Sequence, residues 1–129
     1  MSDDAPSTPT VLVVDDDPQV LRVVRRILGG QALIMIEAES LTSAIALAAT
    51  TTRIDLLLTD CVMPGGSGVE VARRLRETWP DLRVLYMSGY DAERFLEQGV
   101  APDRFVRKPF SVPALREAVG RALAEEVVR

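Results

Sequence analysis

Short apolar runs alternate with amphipathic stretches along this 129-residue chain. The runs carry Val, Ile and Leu without a regular polar alternation, which is typical of strands buried on both faces of a sheet. The stretches between them repeat apolar residues at helical spacing, as in Leu21, Val24 and Leu28. Strand–helix units in series require right-handed crossovers, and therefore a parallel sheet covered by helices on both faces. The predicted strands span residues 10–14, 33–37, 54–59, 82–87 and 104–106.

This alternation predicts a single α/β domain, a doubly wound (βα)5 sheet with the flavodoxin-like strand order 2-1-3-4-5. The domain is expected over residues 10–127, a length that suits one hydrophobic core. Residues 1–9 are small, polar and contain proline, which indicates a flexible tail or linker. The helices are predicted to end before Gly29, to start after Ser40 and Ser111, and to span about residues 67–78 and 91–98.

The composition excludes several kinds of chemistry. The chain has no histidine, and Cys61 is its one cysteine, so it cannot build a histidine-centred triad, an imidazole metal site or an internal disulfide. A formal net charge of −4 argues against direct nucleic-acid binding. The first residues do not resemble a signal peptide, and no apolar run approaches the roughly 20 residues of a membrane helix. We therefore expect a cytoplasmic protein with no nucleic-acid or membrane partner.

Polar side chains follow four of the five predicted strands. Asp15 and Asp16 follow the first strand, Asp60 the third, Ser88 the fourth and Lys108 the fifth. Ligands of open α/β sheets bind at the carboxyl ends of the strands, near the point where the strand order reverses. We therefore expect these side chains to form one site.

The expected site suits phosphoryl chemistry. Two carboxylates about 5 Å apart repel each other by about 3 kcal/mol at an effective dielectric constant near 20, and a hard cation such as Mg²⁺ relieves this repulsion. A serine hydroxyl and a lysine ammonium can neutralise phosphoryl oxygens, while a carboxylate can act as the nucleophile. Lys108 is the one lysine among 15 basic residues, and it falls at this strand end.

Each residue taken alone also has an ordinary structural interpretation. Residues 15–17 could be a solvated turn that caps the first helix, and Asp60 could belong to a turn. Ser88 could be a loop serine, Lys108 a surface lysine and Phe105 a core residue. Their common location at one edge of the sheet favours the functional interpretation.

Four segments together resemble the receiver (CheY-like) domain of bacterial two-component response regulators. They are VLVVDDDPQV at 11–20, IDLLLTDCVMPGGSG at 54–68, VLYMSGY at 84–90 and FVRKPF at 105–110. The MSGY and KPF sequences are similar to those of receivers attached to hybrid sensor histidine kinases.

The resemblance implies a catalytic and metal-binding set. Asp60 would be the phosphoacceptor, assisted by Lys108 and by the hydroxyl of Ser88. Asp15, Asp16 and Asp60 would bind Mg²⁺ together with the backbone carbonyl of Val62.

The resemblance also implies a switch and a lifetime for the phosphoryl group. Ser88 and Phe105 would take the places of the switch residues. Val62 and Tyr90 would occupy the positions that tune hydrolysis, and since neither positions an attacking water, we expect a long-lived phosphoryl group. The peptide bond between Lys108 and Pro109 would be cis.

The implied function is that of a phosphoacceptor module in a two-component phosphorelay. The donor would be a histidine kinase or histidine phosphotransfer protein, docked on the first helix near Val20, Leu21 or Val23 and on the loop after Lys108. Phosphorylation would switch the surface of the fourth helix, fifth strand and fifth helix, through which a homodimer could also form. Its only reactions would be self-directed phosphotransfer and slow autodephosphorylation, so it would not be an enzyme in the usual sense.

Two other functions compete with this one. A non-phosphorylated pseudo-receiver would use the same fold as an interaction domain, but it would not need the acids, the hydroxyl and the lysine together. The other is an enzyme or cofactor binder on the same architecture. A flavodoxin-like protein would need a loop rich in serine, threonine or glycine after the first strand, where this chain has three aspartates. An aspartyl phosphatase stays open as well, although the sequence has no clear second catalytic acid and no substrate cap.

Overall fold

A computed structural model of the protein describes residues 8–89, 97, 99 and 104–125. In this part of the chain, five parallel strands form one sheet in the order β2-β1-β3-β4-β5, so the predicted fold class and strand order are confirmed. Residues 1–7 of the expected tail and residues 126–127 of the expected domain lie outside the described residues. The strands are β1 (Thr10–Val14), β2 (Ile34–Ala38), β3 (Leu56–Asp60), β4 (Arg83–Ser88) and β5 (Phe105–Arg107).

Four of these strands begin one or two residues later than predicted. The apolar runs end before the polar site residues, but the backbone ladder continues through them. Asp60 pairs with Met87, and Ser88 pairs with Arg107. Two of the site residues are therefore held inside strands rather than in the loops that follow.

Each described helix follows a strand along the chain and is capped as its sequence suggests. The side chains of Asp17, Ser40, Ser67 and Ser111 each accept a hydrogen bond from a backbone N–H of the first turn. Tyr90 and most of the predicted fourth helix, 91–98, lie outside the described residues. The helices are α1 (Pro18–Leu28), α2 (Leu41–Ala49), α3 (Gly68–Leu75) and the C-terminal helix (Val112–Ala124).

The α3 helix is shorter than the predicted span of 67–78. It ends at Leu75, and tighter turns continue through Thr78, whose N–H donates to the carbonyl of Leu75. The guanidinium of Arg76 donates to the carbonyl of Leu82 instead of projecting along a helix surface.

The core consists of two apolar layers, one on each face of the sheet. Val11 and Val13 of β1 pack in the layer that includes α1 and the C-terminal helix. Leu12 and Val14 pack in the layer that includes α2 and α3. All four side chains are fully buried, which explains why the strand sequences do not alternate with polar residues.

A short antiparallel ladder, which the sequence did not predict, follows β3. Val62–Met63 pairs with Gly66–Ser67, and Gly65 turns the chain with a φ of 83°. This ladder brings Gly68, the first residue of α3, back against the end of β3. The N–H of Gly68 donates to the carbonyl of Cys61, and a Cβ at Gly68 would overlap the carbonyl oxygen of Asp60.

We therefore expect Gly68→Ala to lower the free energy of unfolding by about 1–3 kcal/mol, since backbone atoms must move to admit the methyl group. Gly120→Ala is the matched control because nothing lies within 4 Å of its added Cβ on the C-terminal helix. It should raise stability by up to about 1 kcal/mol through helix propensity. Chemical denaturation measures both values, and equal stabilities of the Gly68→Ala variant and the wild type would contradict the expectation.

Candidate functional site

Three carboxylates meet at the carboxyl end of the sheet. β1 and β3 are neighbours, and Val14 pairs with Thr59, so Asp15 and Asp60 follow directly side by side. One oxygen from each of Asp15, Asp16 and Asp60 lies within 4.8 Å of the others. The sequence-predicted acids are thus brought together, with Asp15 buried, Asp60 partly buried and Asp16 exposed.

The three consecutive aspartates after β1 have different structural roles. Asp17 caps α1, accepting from the N–H of Gln19 at 2.9 Å. Asp15 is fixed from both sides, because its Oδ1 accepts from the N–H of Asp17 at 2.9 Å and its Oδ2 from Nζ of Lys108 at 2.9 Å. The capping interpretation therefore applies to Asp17, whereas Asp15 and Asp16 belong to the acidic cluster.

The carboxylate of Asp60 is held through one of its two oxygens. Oδ1 accepts from the N–H of Cys61 at 2.9 Å and from Nζ of Lys108 at 3.2 Å. Among the described residues, no donor contacts Oδ2. Burial and the neighbouring charge of Asp15 raise the pKa of Asp60, and Lys108 offsets part of this increase. One oxygen is thus oriented by two donors, while the other has none among the described residues.

Lys108 connects the far strand to the acidic cluster. Its backbone N–H donates to the carbonyl of Ser88 at 2.8 Å, and the following bond to Pro109 is cis, as the family resemblance implied. Burial lowers the pKa of its ammonium, but the hydrogen bonds and charges of Asp15 and Asp60 outweigh it, so the pKa is raised. The ammonium therefore stays charged and supplies one positive charge to the cluster of three carboxylates.

Ser88 ends β4 beside the acidic cluster. It is 2% exposed, and its Oγ has no hydrogen-bond partner among the described residues. A buried hydroxyl without a partner is unusual in a folded protein, and it points to a ligand atom as the missing partner.

Phe105 packs against an aromatic residue that the sequence analysis did not single out. It pairs across the sheet with Tyr86, and the two ring centroids lie 5.7 Å apart. Tyr86 is buried, which raises the pKa of its phenol. The strand order and register together could have identified this pair, since both residues lie near the ends of neighbouring strands.

The donor set fits Mg²⁺. It consists of carboxylate oxygens from Asp15, Asp16 and Asp60, and hard oxygen ligands are those that Mg²⁺ prefers. Val62 lies two residues after Asp60, in the short ladder opposite Ser67, with its side chain about 50% exposed. Coordination by its carbonyl stays a prediction.

Comparison with known proteins identifies the architecture. The model of the family described as "Response regulator receiver domain" matches residues 11–120. The chain is 37% identical over 105 residues to the probable transcriptional regulatory protein TcrX of Mycobacterium tuberculosis, covering 80% of this chain and 44% of that protein. It is 30% identical over 126 residues to the sensor kinase CckA of Brucella abortus, covering 95% of this chain and 13% of that protein.

A solved structure has the same fold. The response regulator receiver protein from Sinorhizobium medicae superposes with a TM-score of 0.81 at 28% identity, covering 91% of this chain and 95% of that one. The chain spans 32–50% of the length of three of the curated relatives it matches. None of the described helices is long and apolar enough to cross a membrane.

The acidic cluster leads to a prediction about Mg²⁺. At a concentration ten times its dissociation constant, Mg²⁺ should stabilise the wild type by about 1.4 kcal/mol, because it binds the folded state. Asp16→Asn should reduce this gain, since it removes one charged ligand. Asp17→Asn should keep it, because asparagine is also a good helix cap. Chemical denaturation with MgCl₂ or with a chelator measures the gain, and equal gains for the Asp16 and Asp17 variants would contradict the assignment.

Proposed function

The chain belongs to the family of response regulator receiver domains, and on that basis we propose that Asp60 accepts a phosphoryl group from a partner's phosphohistidine. The partner is a histidine kinase or a histidine phosphotransfer protein. Because this chain contains no histidine, the donor must be another chain or another domain. The observation that carries the proposal is the buried Oγ of Ser88, which lacks a partner beside a carboxylate whose Oδ2 has no donor among the described residues.

The transfer step follows from the geometry of Asp60. Its Oδ2 attacks phosphorus in line with the donor nitrogen, so an O–P bond forms and the N–P bond breaks. The electron pair of that bond returns to the imidazole of the donor, and Asp60 becomes an acyl phosphate. Asp15, Asp16, Asp60 and the carbonyl of Val62 would hold Mg²⁺, which when bound would neutralise charge on the phosphoryl oxygens.

Lys108 and Ser88 stabilise the transferred group. In the unphosphorylated protein the ammonium of Lys108 contacts both Asp15 and Asp60. After transfer the ammonium can keep its contact with Asp15 and exchange its contact with the Asp60 carboxylate for one with a phosphoryl oxygen. The hydroxyl of Ser88 donates to a second oxygen, which gives it the partner it lacks.

The switch couples this site to a surface at the edge of the sheet. Movement of Ser88 towards the phosphoryl group changes the space next to Phe105, whose ring rests on Tyr86. Since Phe105 has no hydroxyl, its response is steric. The output surface then comprises β5 and the C-terminal helix, with the predicted fourth helix outside the described residues, and homodimerisation through this surface is part of the proposal.

Docking of the donor uses a groove next to the site. The groove has a volume of about 520 Å³ and lies between α1 and the loop after Lys108, with Val20, Val23 and Phe110 in its lining. Val23 is 45% exposed, which suits this role. Leu21 does not, because it is 4% exposed and packs into the core from the inner face of α1, so the expectation that it is partly exposed for docking is wrong.

Phosphorylation by a small donor tests the acceptor directly. With Mg²⁺ and phosphoramidate, the wild type should gain one phosphoryl group by intact mass, and Asp60→Asn should gain none. Asp17→Asn is the matched control, because it removes a neighbouring acid outside the cluster. No modification of the wild type, or one that survives Asp60→Asn, would favour the pseudo-receiver function. We also propose a lifetime of minutes or longer, because Val62 is apolar, and decay within seconds would refute that lifetime.

The hydroxyl of Ser88 should contribute to the rate. Ser88→Ala should slow phosphorylation by phosphoramidate about 100–1000-fold, the range expected on losing one donor to a developing anionic oxygen. Ser88→Thr keeps the hydroxyl and should retain most of the rate. Rapid-quench kinetics at saturating Mg²⁺ would measure both variants, and an unaffected Ser88→Ala rate would remove this residue from the site.

A further inference from the structure

The α1 helix has an unusual charge for this chain. It carries Arg22, Arg25 and Arg26 and no acidic residue, although the formal net charge of the chain is −4. Arg25 pairs with Glu37 of β2 at 2.6 Å. Arg22 and Arg26 are exposed, and their side chains make no hydrogen bond or ion pair with another described residue. Helix α1 thus presents two cations that the rest of the described structure does not neutralise.

Most arginines in the described ranges do have a partner. Of those that do not, Arg22, Arg26 and Arg107 lie on α1 and at the end of β5, and Arg74 lies on α3. Unpartnered arginines are therefore concentrated on one side of the molecule. The arginines that contact an acid or a carbonyl are Arg25, Arg53, Arg73, Arg76, Arg83, Arg104, Arg116 and Arg121.

These three arginines surround the groove beside the acceptor. Arg107 lines the groove itself. Arg22 and Arg26 each follow a groove-lining residue, Gln19 and Val23, by three positions, so they are neighbours of the lining on the helix surface. We call Arg22, Arg26 and Arg107 the basic rim. The groove has an apolar floor next to Lys108, and the basic rim supplies positive charge along its margin.

We propose that the occupant of this groove is an acidic amphipathic helix of the phosphohistidine-bearing partner. Its apolar face fills the groove, and its carboxylates pair with the basic rim. This inference rests on the proposed function, because the groove adjoins the acceptor and its occupant must present the phosphoryl group to Asp60. Opposite charges around an interface mainly raise the association rate and select among partners.

The chemistry of the neighbouring site favours a protein helix over a phosphate polymer or an anionic membrane. Asp17 lines the groove, and Lys108 of the same lining contacts Asp15 and Asp60. These carboxylates repel a continuous row of phosphates. A helix can place its carboxylates against the basic rim alone. It also offers the apolar side chains that the groove floor requires.

Charge-altered donors provide the test. One four-helix phosphotransfer domain is prepared in two versions, with three glutamates or three lysines at exposed positions that flank its phosphorylated histidine. At about 20 mM salt the wild type should accept phosphoryl from the acidic version roughly 10–100 times faster. The preference should fall steeply at about 0.5 M salt, because salt screens exposed charges.

Receiver variants assign the preference to the basic rim. Replacing Arg22, Arg26 and Arg107 together by Glu should abolish or invert the ratio of the two transfer rates. The control replaces Arg73, Arg74 and Arg121 by Glu, which changes the net charge equally at exposed positions outside the groove lining, and it should keep the ratio. An unchanged ratio in the rim variant, or equal transfer from both donors to the wild type, would overturn the inference.

Two further measurements separate the outcomes. Labelling of Asp60 by phosphoramidate without a donor preference would reject the acidic helix and leave the proposed function standing. Absence of labelling would reject the proposed function, and calorimetric binding of both unphosphorylated donor versions would still test the basic rim. Binding of duplex DNA or phosphatidylserine vesicles that depends on the rim, without a donor preference, would assign the surface to another partner and overturn the inference.

Discussion

The contact of Lys108 with Asp15 and Asp60 is the interaction on which the site depends. Three carboxylates within 4.8 Å of one another repel, and burial of Asp15 and Asp60 strengthens the repulsion. One ammonium at 2.9 and 3.2 Å relieves part of it. The remaining negative charge favours binding of a divalent cation. In the proposed reaction, the Lys108 ammonium exchanges its contact with Asp60 for a contact with a phosphoryl oxygen. Stability and reactivity are therefore set by the same contact.

The sequence predicts the sheet and the residues of the site because both depend on short stretches of consecutive residues. Buried parallel strands need continuous apolar runs, and a polar residue directly after a run must lie at the edge of the sheet. That reasoning predicts that Asp60, Ser88 and Lys108 lie together. The predicted ends of β3 and β4 come too early in the sequence, because the ladder pairing extends through Asp60 and Ser88 and depends on the neighbouring strand.

The sequence alone does not predict features that depend on tertiary packing. Pro18, the first residue of α1, is a local signal that Asp17 caps the helix, but no local signal shows that Asp15 is buried. The contact between Tyr86 and Phe105 requires the register of β4 against β5. Leu21 and Val23 are both apolar residues of α1, and only packing against the C-terminal helix layer decides that Leu21 is buried and Val23 exposed.

Net charge is a poor guide to the partner because the charges are sorted by location. Three of the acids lie together at the carboxyl end of the sheet, where Lys108 opposes two of them and where the proposed Mg²⁺ would bind. Three of the four arginines that have no partner among the described residues, Arg22, Arg26 and Arg107, lie beside the groove, so a partner approaching from that side meets a basic margin before it meets the acids. A donor helix can pair its carboxylates with these arginines while the phosphohistidine at its centre reaches the acidic cluster. In the proposed reaction, the phosphoryl group must approach the carboxylates together with Mg²⁺. The charges that attract the partner, those of the arginines, are therefore different from the charges that govern phosphoryl transfer.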